Sequence, residues 1–186
     1  MDYESFLKLV KTRRSIRGFK TDPIPDEAVE KIIEAARWAP SGANSQPWEF
    51  IIIDDQKTID QIAERKYQLS LTMPPRAGEG QDKVQERAVG QRKSFENASA
   101  VAVCHQKGEA ASAWLCIENM SLAAVADGLG SGIVVFRGEQ EKEVKKILGV
   151  PEDHELAAVL KIGEPGEKPS PPPKRPEFSW LHRNRF

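Results

Sequence analysis

Apolar residues recur along this chain in two rhythms, helical spacing and short unbroken runs, and their succession predicts most of its elements. In Tyr3–Lys11, Phe6, Leu7 and Val10 share one helical face, with Tyr3 a turn earlier. The polar stretch TRRSIRGFKTDPIP breaks that pattern. A second helix is expected over Asp26–Trp38, capped by Asp26, with Val29, Ile32, Ile33, Ala36 and Trp38 forming a broad packing face. Pro40 and Gly42 end it. The run WEFIII, Trp48–Ile53, is the clearest strand, and Asp54 and Asp55 close it.

Gln56–Lys66 then reads as a short helix. Between Tyr67 and Phe95 the chain turns polar, interrupted by Pro74, Pro75, Gly78, Gly80 and Gly90; it reads as an active-site cover with a short helix near Asp82–Ala88, or as a mobile insertion. Ala98–Cys104 is a second buried strand. Glu109–Asp127 is an Ala-rich helix whose apolar residues, Trp114 and Met120 among them, exceed one stripe, so both faces are expected to meet protein. Gly128–Phe136 passes from a glycine turn into a third strand, Glu139–Leu148 is helical, and Glu155–Gly163 is a fourth strand. Residues 164–186 are proline-rich and extended, yet carry Phe178, Trp180, Leu181 and Phe186, large apolar groups expected to dock on the chain itself or on a neighbour. This mixture of helices and strands, without a clean βαβ succession, reads as a single α+β domain over residues 1–186 with a three-layer arrangement.

Composition narrows the partners. With 27 Lys plus Arg against 28 Asp plus Glu, the net charge is −1, which argues against a general nucleic-acid surface while leaving room for a local basic pocket. No apolar run approaches the ~20 residues that span a bilayer, and the acidic N-terminus does not read as a secretory leader. No membrane role is expected, and a reducing cytoplasm is the default location. Cys104 and Cys116 lack paired metal-ligand spacing and read as buried free thiols; no metal site is expected.

Four stretches carry possible chemistry. In TRRSIR, Arg13, Arg14 and Arg17 with Ser15 can grip phosphate oxygens, although cations also favour helix C-termini for their own sake. In APSGANSQPWEF, Ser41, Asn44 and Gln46 offer donors and acceptors that match a heterocycle edge, Pro40 stiffens the stretch and Gly42 permits close approach; plain turn composition explains the same residues. In DGLGSGI, Gly130, Ser131 and Gly132 let backbone approach a planar ligand or another element. Their spacing is not the dinucleotide fingerprint. In PPKRPEF, Lys174 and Arg175 are either solvated linker charge or the distant half of an anion site. The three histidines are scattered, and no triad motif appears.

Together and in this order, RRSIR, the helix leading to APSGANSQPWEFIII, GLGSGI before a strand, and the basic C-terminal segment resemble the FMN-dependent nitroreductase family along essentially the whole chain. The first two motifs, about two dozen residues apart, carry most of that specificity. The resemblance implies a three-layer α/β/α sandwich around a mixed, mainly antiparallel sheet, and a homodimer with two FMN sites at the interface. Arg13, Arg14, Ser15 and Arg17 match the segment that holds the flavin phosphate, ribityl chain and ring edge. Pro40, Ser41, Gly42, Asn44 and Gln46 match the loop that reaches the same flavin from the other subunit. Gln91 falls where relatives place an amide at the polar ring edge, Gly130, Ser131 and Gly132 match backbone near the ring, and Lys174 and Arg175 match a phosphate-binding region. The implied chemistry is ping-pong: NADH or NADPH reduces FMN, which then reduces a small electron-accepting substrate such as a nitroaromatic or quinone. Reductive dehalogenation, another flavin transformation, or FMN binding without turnover are the alternatives. FMN does the redox chemistry, so no catalytic side chain is required. The tail would wrap the partner subunit.

Overall fold

Four apolar runs pair edge to edge to make the sheet at the centre of the chain. The computed structural model describes residues 2–22 and 24–186. In chain order the elements are α1 (Tyr3–Thr12), α2 (Asp26–Arg37), β1 (Trp48–Ile53), α3 (Gln56–Leu71), α4 (Gln81–Lys93), β2 (Ser99–Gln106), α5 (Ala110–Ala126), β3 (Gly130–Val134), α6 (Glu139–Ile147) and β4 (His154–Gly163). The strand order is β1-β2-β4-β3, with every neighbouring pair antiparallel. The parallel component of the expected mixed sheet is an isolated bridge between Ser15 and Ser131 at the β3 edge.

Alternation along β2 divides the core. Val101 and Val103 face α2 and α5, meeting Val29, Ile32, Ile117 and Met120. Ala100, Ala102 and Cys104 face the opposite layer, where Ile59 and Ile62 of α3 and Val144 of α6 close the second core. Buried side chains of this size each stabilise the fold by about 1.5–3 kcal/mol, and both sheet faces contribute. The result is the expected α/β/α sandwich.

Several sequence expectations shift. Helix α3 continues five residues past Lys66, with Ser70 buried, and the polar stretch after it holds a full helix, α4, whose Val84 and Ala88 are buried. Gln85 Nε2 donates to the Tyr67 hydroxyl at 2.8 Å, and Arg87 pairs with Glu79 at 2.5 Å, fastening α4 to its surroundings. Asp26 is not the cap of α2: Pro25 occupies that position, and Asp26 joins Glu27 in the first turn, where acidic charge favours the helix dipole. Trp38 leaves the packing face and is 80% exposed, its indole N–H donating to Glu34. Trp114 and Leu115 of α5 are also exposed, as are Tyr3, Phe6 and Val10 of α1.

Candidate functional site

The basic motif owes its position to missing side chains beneath it. Arg13 ends α1 and the chain continues extended along β3, with the Ile16 N–H donating to the Ser131 carbonyl at 2.8 Å. A Cβ on Gly130 would lie 2.5 Å from Ile16 Cγ1, and one on Gly132 would lie 2.4 Å from the Ile16 carbonyl oxygen. These two glycines therefore admit another element, the motif itself, onto the strand. Further along, Phe19 bridges Pro165, the Gly166 N–H donates to the Gly18 carbonyl at 2.9 Å, and Lys20 donates to the Glu164 carbonyl at 2.9 Å. Glu167 Oε1 accepts the N–H groups of Arg17 and Gly18, at 2.5 and 3.1 Å.

The tail that supplies Glu167 then turns back past α1. Between them lies a groove of about 790 Å³, lined by Val10, Lys11, Arg13, Arg14, Ser15 and Arg17 on one side and Pro169–Pro172 and Lys174 on the other. Its size falls within the usual range for small-molecule sites, roughly 300–1,000 Å³. The cations are not equivalent. Arg14 donates to the Lys11 and Arg13 carbonyls at 2.7 and 2.6 Å, so it largely closes the end of α1. Arg13, Arg17, Lys11 and Lys174 leave the groove strongly positive, with the exposed Ser15 among them. Arg175 follows Lys174 but does not line the groove.

Pro40, Ser41, Gly42, Asn44 and Gln46 do not line this groove within the protomer. Gly42–Asn44 forms one short 3₁₀ turn, and Ala43, Asn44 and Gln46 all have positive φ, at 49°, 56° and 47°. Non-glycine residues in that region are strained by roughly 1–3 kcal/mol each and persist where surrounding structure enforces them. Here Ser41 Oγ accepts the Gln46 N–H at 3.0 Å, and Gln46 Nε2 reaches the Asn44 carbonyl at 3.4 Å. Buried Ala39, Pro47 and Trp48 hold the ends of an otherwise largely exposed polar loop.

A group that sequence reading missed lies behind the motif. Lys161 on β4 is 2% exposed, and its Nζ donates to Ser94 Oγ at 2.5 Å. Ser94, which caps α4, in turn donates to the carbonyl of Gln91 at 2.6 Å. The half-buried Gln91 thus lies outside the groove but joins a hydrogen-bonded chain leading to Lys161. Burial, then repulsion from Arg17 and Lys66, pushes the Lys161 amine down to about 7. Lys66 is also shifted down, chiefly by burial, while its Nζ donates to the Val135 carbonyl at 3.2 Å. Ser131 is buried beneath Ser15.

The order of these elements has a counterpart among known proteins. The pattern of the nitroreductase family matches residues 10–164, most of the chain and all of its sheet. The chain belongs to the nitroreductase family.

Among its relatives is an Archaeoglobus fulgidus protein that carries the name NADH dehydrogenase/NAD(P)H nitroreductase, 31% identical over 89% of this chain and 88% of its own. An iodotyrosine deiodinase of Thermotoga neapolitana is likewise 31% identical, over 94% of this chain and 95% of its own. The crystal structure of an oxidised iodotyrosine deiodinase bound to FMN and 3-iodo-L-tyrosine superposes with a TM-score of 0.74 at 28% identity, covering 97% of this chain and 98% of that one. The family is one of oxidoreductases, and this nitroreductase homologue has donors suited to a phosphate-bearing cofactor in Arg13, Ser15, Arg17 and Lys174. Among its described residues, no cluster of His, Cys, Asp and Glu suits a metal, and no helix is long and apolar enough to cross a membrane. Both cysteines are buried and free, their thiols pushed up to about 11 at Cys104 and about 12 at Cys116 by burial.

Proposed function

We propose that this protein is an FMN-dependent oxidoreductase that uses NADH or NADPH to reduce nitroaromatic, quinone or related electron-poor acceptors in a ping-pong cycle. The observation that carries this reading is the convergence of Arg13, Ser15 and Arg17 with Lys174 around one groove of about 790 Å³. Arg13 and Lys174 hold the phosphate by charge-assisted hydrogen bonds, Ser15 adds a hydroxyl donor, and Arg17 faces the more polar part of the cofactor. Arg175 adds to the positive field from the tail. Bound FMN supplies the two-electron chemistry; the protein's part is to orient it and to stabilise negative charge. The Pro40–Gln46 loop serves the site of a second protomer in a homodimer, with Ser41, Asn44 and Gln46 as its polar contacts. The exposed apolar residues of α1, α5 and the tail are the surfaces such a dimer would cover.

Anaerobic mixing of the FMN-loaded protein with NADH and NADPH tests the proposal. Bleaching of the oxidised-flavin band, followed by its return on adding a nitroaromatic or quinone, is the expected outcome. A loaded protein that stays oxidised with both donors refutes the activity and leaves an FMN-binding dimer. The near full-length similarity to an iodotyrosine deiodinase favours one second reading, reductive dehalogenation of an aromatic substrate. Halide release with turnover of a halogenated phenol, but no turnover of nitroaromatics or quinones, would select it.

A further inference from the structure

Complete burial of a lysine is rare without a partner, and Lys161 has an unusual one. Its stem passes Gly132, whose missing Cβ would sit 3.2 Å from Lys161 Cε, and its Nζ ends 5.0 Å from the Phe95 ring centroid. An ammonium has three protons to place. Among the described residues, its one hydrogen-bond acceptor is the Ser94 hydroxyl. The neighbouring strands contribute no charge beside it, since Lys161 pairs with Ala100 on β2 and Gly132 on β3. The charged groups that reach it are Arg17 on the extended segment, Lys66 on α3 and Glu167 beyond β4. The two cations repel it, with Arg137 adding to the positive field around Lys66. Glu167 attracts it, but Glu167 Oε1 is already engaged by the N–H groups of Arg17 and Gly18. Arg17 lines the groove, and a Cβ on Gly132 would meet both Lys161 Cε and the backbone of Ile16 next to Arg17, so Lys161 lies behind the motif that forms the proposed cofactor site.

We infer that Lys161 is a proton-linked cation of that site: its Nζ is only partly protonated while no negative charge lies beside Arg17, and fills its proton from solvent when one arrives. The inference rests on the FMN reading above. Were FMN bound there, hydride from a dihydronicotinamide would bring two electrons and one proton and leave the site one unit more negative. Lys161 would then take up as much as one further solvent proton, fully so above neutrality, restoring the local balance. Arg17 cannot do this, because a guanidinium keeps its charge throughout. A lysine with a lowered proton affinity can.

The test is the midpoint potential of the FMN-loaded protein between about pH 6 and about pH 10, wild type beside Lys161→Met. Methionine keeps similar bulk and removes a desolvated amine, so the variant is expected to fold. Above neutrality, the wild-type reduction equilibrium should change up to tenfold more per pH unit than that of K161M, about 30 mV for a two-electron couple. Lys161→Arg, with a fixed charge, should also lack the extra slope. Equal slopes in wild type and K161M overturn the inference. Carbon-13 NMR of lysine-labelled empty protein gives a readout independent of any variant: one Cε resonance titrating near neutrality supports the inference, and all lysines titrating at ordinary values overturn it. A protein that retains no FMN overturns the proposed function and this inference with it. Retained FMN with equal slopes overturns the inference alone.

Discussion

Ser15 and Ser131 face each other across a parallel bridge, so the basic motif is held to the sheet as a short extra strand, with Ile16 pressed over two glycines. Gly132→Ala tests that arrangement. The new methyl would meet the Ile16 carbonyl oxygen, which belongs to backbone and cannot swing aside. Overpacking of this kind costs about 1–3 kcal/mol. Chemical denaturation should show the loss, and FMN retention should fall with it because Arg13 and Arg17 move with Ile16. Unchanged stability and retention would mean that the motif is not fixed by this contact.

Arg13→Ala should weaken FMN binding by roughly ten- to a hundredfold, the range expected for losing a hydrogen bond to a charged group. The remaining affinity should also depend less on salt, since one cation has left the groove. Titration by flavin fluorescence at two ionic strengths measures both effects. An unaltered affinity would remove the phosphate from this end of the groove.

Lys161 makes the stability of the empty protein depend on pH in an unusual direction. Its folded value of about 7 lies below the ordinary lysine value of 10.5, so between them the unfolded chain binds more protons. Stability from this group therefore rises with pH across that window and is lost as pH falls toward neutrality. Denaturation of wild type and K161M at about pH 7 and about pH 9 should show the wild type gaining on the variant at the higher pH. A constant difference between the two proteins contradicts the shift.

Deleting Phe178–Phe186 should leave the sandwich intact while weakening self-association. The segment is exposed and its large apolar residues stack little within the protomer beyond the His182–Phe186 pair at 4.4 Å. Sedimentation across a concentration series is the measurement. A truncated protein with wild-type association places the dimer contacts elsewhere, in α1 and α5.

Much of this fold was legible because its strands are short apolar runs and its helices have clear faces. Trp48–Ile53 appears in the structure with the bounds read from the sequence, and Arg13, Arg17 and Lys174 line one groove. Lys161 was hidden for a physical reason. In the run AVLKIG, Leu160 and Ile162 mark one buried face, and the lysine between them reads as the solvent side of a strand. Its true neighbours are Ser94 at the end of α4, 67 residues away, and the Phe95 ring beside it. Helices α3 and α4 are legible only in part, as Gln56–Lys66 and a short helix near Asp82–Ala88, because the prolines and glycines around residues 74–80 hide their full extent. Trp38 failed in the opposite sense, since periodicity cannot tell a packed aromatic from one at the exposed end of a helix.

The groove's two walls also set an order of events in the cell. Arg17 and Pro169 stand about 150 positions apart, and both are needed to enclose it. At typical synthesis rates the ribosome takes roughly 8–30 s to cover that span. During this interval the nascent chain presents its arginines without their counterpart, and the groove takes shape only after β4 has been made and the following prolines have emerged. On the proposed reading of the groove, cofactor loading would be a late event in the maturation of the polypeptide.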